Sequence, residues 1–169
     1  MRRQFVDEIS NLMKVDESIY ILLGDLGFGL FDGLRKEFPN RCLNFGAAEQ
    51  LMIGAATGLA LEKKIPICYS ITPFLIYRPF EFIRNFLQGE GIPVKLVGSG
   101  RDKDYLNAGY THHSGDVGSI LDQLPNIEQF FPDNGLELSD SIKKFIYSNR
   151  PAFLSLRKWE FFSLDIEGF

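Results

Sequence analysis

A single glutamate opens a helical stretch made almost entirely of small and apolar residues, Ala47-Ala48-Glu49-Gln50-Leu51-Met52-Ile53-Gly54-Ala55-Ala56-Thr57-Gly58-Leu59-Ala60-Leu61. Gly54 and Gly58 stand one helical turn apart with Ala47, Ala55 and Ala56 nearby, so much of this surface admits another backbone or a flat ligand. The pattern predicts a helix buried on several sides. A carboxylate at its head has two readings: an ordinary first-turn charge favoured by the helix dipole, or a partly desolvated acid able to hold and hand over a proton. Downstream, the segment from Tyr69 to Asn85 sets several aromatics in a loop and the start of a helix. Core packing accounts for most of them. Phe74, just past Pro73 at a strand end, is placed to lie over a ligand ring, a stacking worth about 1 kcal/mol beyond burial. His112 and His113 are the two histidines of the chain. Neighbours in a loop point apart and cannot chelate one ion as a His-x-x-x-His helix face does, so no metal site is expected. They are either surface residues or groups that hydrogen bond to substrate and move protons near neutral pH.

Other motifs carry less. Gly27-Phe28-Gly29-Leu30-Phe31-Asp32-Gly33 has its third glycine one position late for a dinucleotide fingerprint, and no acid ends the second strand. Gly98-Ser99-Gly100 lacks the frame of a nucleophile elbow, and no Gly-x-x-x-x-Gly-Lys-Ser/Thr phosphate loop occurs. Eighteen basic against 22 acidic residues, a formal charge of −4 without a basic run at either end, disfavours nucleic acid as partner. No apolar run approaches the roughly 20 residues that span a bilayer, and the first residues lack the apolar core of a signal peptide. A soluble, cytoplasmic protein without a membrane partner is expected. Cys42 and Cys68 stand apart from each other and from the histidines, as reduced core thiols do.

The elements that must position these residues follow from periodicity. Apolar runs at 19–23, 42–45, 65–70, 94–98, 127–131 and 152–156 read as six short buried strands. Between them, Phe5, Ile9 and Leu12 form one helical stripe, Phe80, Ile83 and Leu87 another. A third holds Asp140, Ile142, Phe145 and Ile146 before Asn149-Arg150-Pro151 stops it. Such alternation predicts an α/β fold: a mostly parallel, doubly wound six-stranded sheet with helices on both faces. The division is a domain over 1–156 and an aromatic tail over 157–169, in one chain of 169 residues. Aromatic residues make up 14% of it, more than so small a core needs, so part of them should meet a partner. Ligands of doubly wound sheets lie beyond the carboxyl ends of the strands. Gly24-Asp25-Leu26-Gly27, Gly46 to Gln50, Thr72-Pro73-Phe74 and the loop from Ala108 to His113 all fall on that edge.

In order and spacing, Gly24-Asp25-Leu26-Gly27, Asn44 to Ala60, Pro73-Phe74-Leu75, Thr111-His112-His113-Ser114-Gly115-Asp116 and Leu124-Pro125-Asn126 resemble one family. It is the pyrimidine-binding domain of transketolase-like, thiamine-diphosphate-dependent enzymes, and the resemblance runs over nearly the whole chain. It implies the thiamine-diphosphate-binding fold. It also implies that Asp25 stands at the family's strand-end Asp motif and that Glu49 contacts the cofactor's aminopyrimidine. Phe74 is the stacking aromatic and Tyr77 a further cofactor-pocket aromatic. His112 matches a substrate-pocket histidine, and His113 the histidine that follows it in branches such as the deoxyxylulose-phosphate synthases. Arg2 falls near a phosphate-contacting arginine of transketolases, or is simply a solvated charge. The role given to Glu49 is chemical: a carboxyl on the pyrimidine nitrogen, in a dry site, favours the tautomer of the cofactor whose own amino group takes the C2 proton.

The family holds Mg²⁺ and the diphosphate with a Gly-Asp-Gly…Asn motif on a second domain, and no Gly-Asp-Gly occurs in this sequence. The resemblance therefore implies a stand-alone pyrimidine-domain subunit of a split enzyme, completed by a diphosphate-binding chain. It implies a dimer of heterodimers acting on a ketose or keto-acid. A non-catalytic scaffold or regulatory subunit of the same fold is one alternative. A flavodoxin-like or Rossmann-like nucleotide-binding module is the other.

Overall fold

The computed structural model describes residues 1–158. Its order is α1 (Arg2–Val15), β1 (Ile19–Leu23), α2 (Asp32–Glu37), β2 (Cys42–Asn44), α3 (Glu49–Leu61), β3 (Ile65–Ile71), α4 (Thr72–Tyr77) and α5 (Phe80–Phe82), which runs into a π-helical stretch (Ile83–Gly89). Then come β4 (Lys95–Ser99), two 3₁₀ turns (Leu106–Ala108 and Tyr110–His112), α6 (Val117–Leu121), β5 (Glu128–Phe130), α7 (Gly135–Tyr147) and β6 (Ala152–Leu156). The six strands form one sheet in the order β2-β1-β3-β4-β6-β5. Every neighbouring pair is parallel, so the expected "mostly parallel" sheet is wholly parallel.

Two apolar layers hold it. On one face α1 lays down Phe5, Val6, Ile9 and Met13, and α7 lays down Leu138, Ile142, Phe145 and Ile146, against Ile21, Tyr69, Val97 and Leu154. On the other, Met52, Ile53 and Ala56 of α3, Leu75 and Ile76 of α4, and Ile83 and Leu87 cover Leu22, Cys68, Leu96 and Phe153. Central strands buried on both sides must be largely apolar, which is why they read as near-continuous runs. Burial pushes the Cys42 thiol up to about 11 and that of Cys68 further in the same direction, as suits inert core residues.

Strand boundaries differ from the sequence reading by a residue or two, as at β4, which starts at Lys95 rather than Val94. Lys95 looks like a surface residue by type yet is 1% exposed. Its Nζ donates to the carbonyls of Ser148 at 2.7 Å and Arg150 at 2.5 Å, closing the turn between α7 and β6. Among the described residues the helix of small residues is covered on one side: Met52, Ile53, Ala56 and Ala60 are buried, whereas Leu51, Gly58 and Leu61 are exposed. The expectation of burial on several sides is therefore not met by the described residues. Of the tail, Arg157 and Lys158 are described; its aromatic positions from Trp159 onward lie outside the described residues. No helix among the described residues is long and apolar enough to cross a membrane.

Candidate functional site

The turn after β2 delivers Glu49 to the carboxyl edge of the sheet. Asn44 Oδ1 accepts from the Gly46 N–H at 2.8 Å, and Gly46 takes φ +64, a conformation a side chain disfavours. Three residues later α3 begins with Glu49 in its first turn, where the dipole favours a carboxylate. Its side chain is only 2% exposed. Ser70, near the end of the adjacent β3, donates its hydroxyl to Oε1 at 3.4 Å. Gly24, beyond β1, leaves the room for this: a Cβ there would come within 2.8 Å of Ser70 Oγ.

The aromatic segment, expected as a loop and the start of a helix, folds at once into α4 with no loop before it. Pro73 sits in the first turn, where its missing N–H costs no helical hydrogen bond. The Thr72 hydroxyl donates to the Gly100 carbonyl at 2.5 Å, and Gly98 provides the space beside Thr72. This places Phe74, Tyr77 and Arg78 on the site. The Arg78 guanidinium donates from Nη1 to both Glu49 oxygens, at 2.8 and 3.0 Å, and its Cζ lies 3.8 Å from the centre of the Phe74 ring. Such a pair matters because a buried carboxylate is costly unless paired and hydrogen bonded.

The loop from Gly100 to Ser114 closes on itself through the Ser114 N–H to Asp102 carbonyl bond, 2.9 Å. It brings His112 into a T-shaped contact with the Phe74 ring, 4.8 Å between centroids, with His112 Nδ1 3.0 Å from the Thr111 hydroxyl. Beside them a cavity of about 290 Å³ is lined by Pro73, Phe74, Tyr77, Tyr110, His113 and Asp116, with Arg78 on its wall. Tyr77 donates its hydroxyl to Asp116 Oδ1 at 2.5 Å. Partial burial, then the acceptor and its charge, push the phenol well above its usual range. His113 Nε2 is buried with no hydrogen-bond partner among the described residues. A polar atom left so beside a cavity is a place for a ligand's polar group.

Glu49, Phe74, Tyr77, His112 and His113 thus lie on one edge, linked through Arg78 and the Phe74 ring. Asp25 reaches the same edge beyond β1 but is exposed and accepts no hydrogen bond from a described residue. Arg2 is not a free solvated charge, since its Nη1 donates to the Tyr105 hydroxyl at 3.3 Å. Sequence reasoning missed Arg78, Ser70 and the pairing of Asp116 with Tyr77. The available signal for Arg78 was a cation that ends the uncharged run from Ile65 to Tyr77, at a helix end.

The residues present suit a flat, basic heteroaromatic ring: a buried carboxylate to accept from it, an aromatic face to stack on it, and a planar cation already using both. Comparison with known proteins agrees. The family profile described as "Transketolase, pyrimidine binding domain" matches residues 1–161. The chain is 30% identical over 154 residues to an uncharacterized 33.6 kDa protein in the fasciation locus of Rhodococcoides fascians, a match covering 90% of this chain and 49% of that protein. It is 35% identical over 121 residues to one of the subunits of the apulose-4-phosphate transketolase of Actinobacillus succinogenes, covering 72% and 39% respectively. Among solved structures, one described as "Split gene transketolase, inactive beta4 tetramer" superposes with a TM-score of 0.80 at 26% identity, over 92% of this chain and 50% of that one. The chain therefore spans about half the length, or less, of the curated relatives it matches. Since the profile covers nearly every residue and the fold agrees strand for strand with what the motifs implied, the chain belongs to the transketolase pyrimidine-binding domain family.

Proposed function

We propose that this chain is the pyrimidine-side subunit of a cytoplasmic, thiamine-diphosphate-dependent, transketolase-like transferase, completed by a second chain that holds the diphosphate and Mg²⁺. The observation that carries the reading is Glu49: a carboxylate buried to 2% exposure at a helix start, facing an aromatic ring across a planar cation. Bound thiamine diphosphate would supply a carbon nucleophile, at C2 of its thiazolium, for a ketose or keto-acid carbonyl and carry a two-carbon unit between substrates. This chain's residues do the rest. Glu49 holds a proton at the pyrimidine nitrogen, and its low exposure keeps water from competing for it. Phe74 stacks on the ring and Tyr77, braced by Asp116, walls the pocket. His112 and His113 face the substrate, where an imidazole can donate to a carbonyl oxygen or move a proton near neutral pH. Asp25 guards the neighbouring strand end.

The relatives support division between chains, since one is itself a transketolase subunit and one solved structure is of a split-gene transketolase. The open face of α3, with Leu51, Gly58 and Leu61, is the surface on which partner or second copy would close, giving a dimer of heterodimers. Calorimetry tests the assignment. This chain should bind thiamine diphosphate feebly and without regard to Mg²⁺, and tightly with Mg²⁺ only after a chain bearing the Gly-Asp-Gly…Asn motif is added. Tight, Mg²⁺-dependent binding by this chain alone would show that the diphosphate site is not elsewhere.

A further inference from the structure

Arg78 does two things at once. It satisfies Glu49 with hydrogen bonds of 2.8 and 3.0 Å, and it covers the Phe74 ring at 3.8 Å. A protonated aminopyrimidine is the same kind of group as a guanidinium: planar, delocalised, cationic and edged with N–H donors. It needs the same carboxylate and the same aromatic face. At 3.8 Å the guanidinium already stands at stacking distance, so this face of Phe74 has no room for a second flat group; elsewhere the ring meets His112 in a T-shaped contact.

We propose that Arg78 is a built-in occupant of the pyrimidine seat, which a ligand's aminopyrimidine must displace in order to bind. The inference rests on the thiamine reading above. Its physical logic is the mismatch in exposure across the pair: the Glu49 side chain is 2% exposed, that of Arg78 46%. The carboxylate cannot leave, and without a cation it would be buried and uncompensated. The arginine can leave, because nearly half of it already touches water and its stem only has to rotate. A destination lies beside it, since Arg78 shares the 290 Å³ cavity with Asp116, whose Oδ1 is used by Tyr77 and whose other oxygen makes no side-chain hydrogen bond among the described residues. Glu49 therefore stays paired in both states, with Arg78 in one and with the ligand ring in the other. Affinity for the ring is lowered by the fraction of molecules in which the seat is filled.

The test uses the full chain and the probe 4-amino-5-hydroxymethyl-2-methylpyrimidine, titrated by NMR at neutral pH. Arg78→Ala should bind it about tenfold more tightly than the wild type, and Arg78→Lys, which keeps the charge without the planar fork, should fall between. In the wild type, guanidinium N–H resonances protected by Glu49 should lose that protection as the probe saturates. Equal affinity of wild type and Arg78→Ala would overturn the displacement while leaving the thiamine reading in place. No binding by wild type and variants alike would sink both. If Arg78→Ala fails to fold, the wild-type resonances decide, and protection that survives saturation refutes the proposal.

Discussion

Replacing Glu49 by Gln preserves length and hydrogen-bonding capacity but removes the charge, so it separates what the carboxylate does for the fold from what it does for chemistry. The cost in stability follows from which partner is left behind. After Glu49→Gln the stranded group is Arg78, whose side chain is 46% exposed and can turn into water. A charged hydrogen bond with one half-solvated partner is worth about 1–2 kcal/mol. In a domain of this size that lowers the thermal midpoint by roughly 2–8 °C. The reverse truncation, Arg78→Ala, strands a carboxylate that is 2% exposed, and a buried charge without its partner costs about 3–5 kcal/mol. Glu49→Gln must therefore be the milder of the two, which circular-dichroism melts will show. In the complete enzyme, exchange of the cofactor C2 proton, followed by NMR after deuterium quench, should slow at least about a hundredfold, the low end for a positioned acid or base. Unchanged exchange in a folded, assembled Glu49→Gln complex would refute the chemical role. A Glu49→Gln protein less stable than Arg78→Ala would refute the electrostatic accounting.

Three other outcomes are expected. His112→Ala should leave C2 exchange nearly unchanged and lower turnover, because this residue is assigned to substrate; a defect confined to exchange would misplace its loop. Gly100 has φ +88 and lies against the Tyr105 ring, so Gly100→Ala should lower the urea midpoint by an amount equivalent to about 2 kcal/mol or more, and an unshifted midpoint would mean the loop yields freely. Burial pushes the Lys95 ammonium from its ordinary 10.5 down to about 8. Its folded value lies below the unfolded one, so the charged form is penalised below pH 8, and the stability of wild type relative to Lys95→Met should rise between pH 8 and 10.5. Urea titrations at pH 7 and 9.5 check the sign, which a falling difference would contradict.

The sheet was legible because parallel strands covered on both faces must be runs of Ile, Leu, Val and Phe, and such runs at 19–23 and 152–156 coincide with β1 and β6. Glu49 and Phe74 were legible for a different reason, since their neighbours are small or apolar and a polar or exposed-edge aromatic residue stands out against them. Arg78 was not. Its function depends on a rotamer that carries the guanidinium back across α4 to a helix 29 residues earlier, which no local period encodes. Lys95 was hidden similarly, because its partners are backbone carbonyls more than 50 residues away, and a carbonyl leaves no mark in a sequence. The one-sided cover of α3 was equally illegible: small residues permit close approach on any side, and only the tertiary packing decides which side this chain uses.

The wholly parallel sheet also bears on how the protein comes into being. With no hairpin between successive strands, each pairing must await a crossover that closes through a helix, and contacts distant along the chain form late and slowly. The central strand β3 joins β1 across residues 24–64 and β4 across residues 72–94, and the two halves of the ligand edge ride on those separate crossovers. A nascent chain therefore presents Glu49 first, and its aromatic segment emerges while β4, the other flank of that edge, has yet to be made. During that interval Phe74, Phe80, Phe82 and Phe86 form an adhesive stretch, interrupted by the charges of Arg78, Glu81 and Arg84. The arginine that pairs with Glu49 in the native state thus belongs to a set of three charges of the kind that keep unfinished chains from associating.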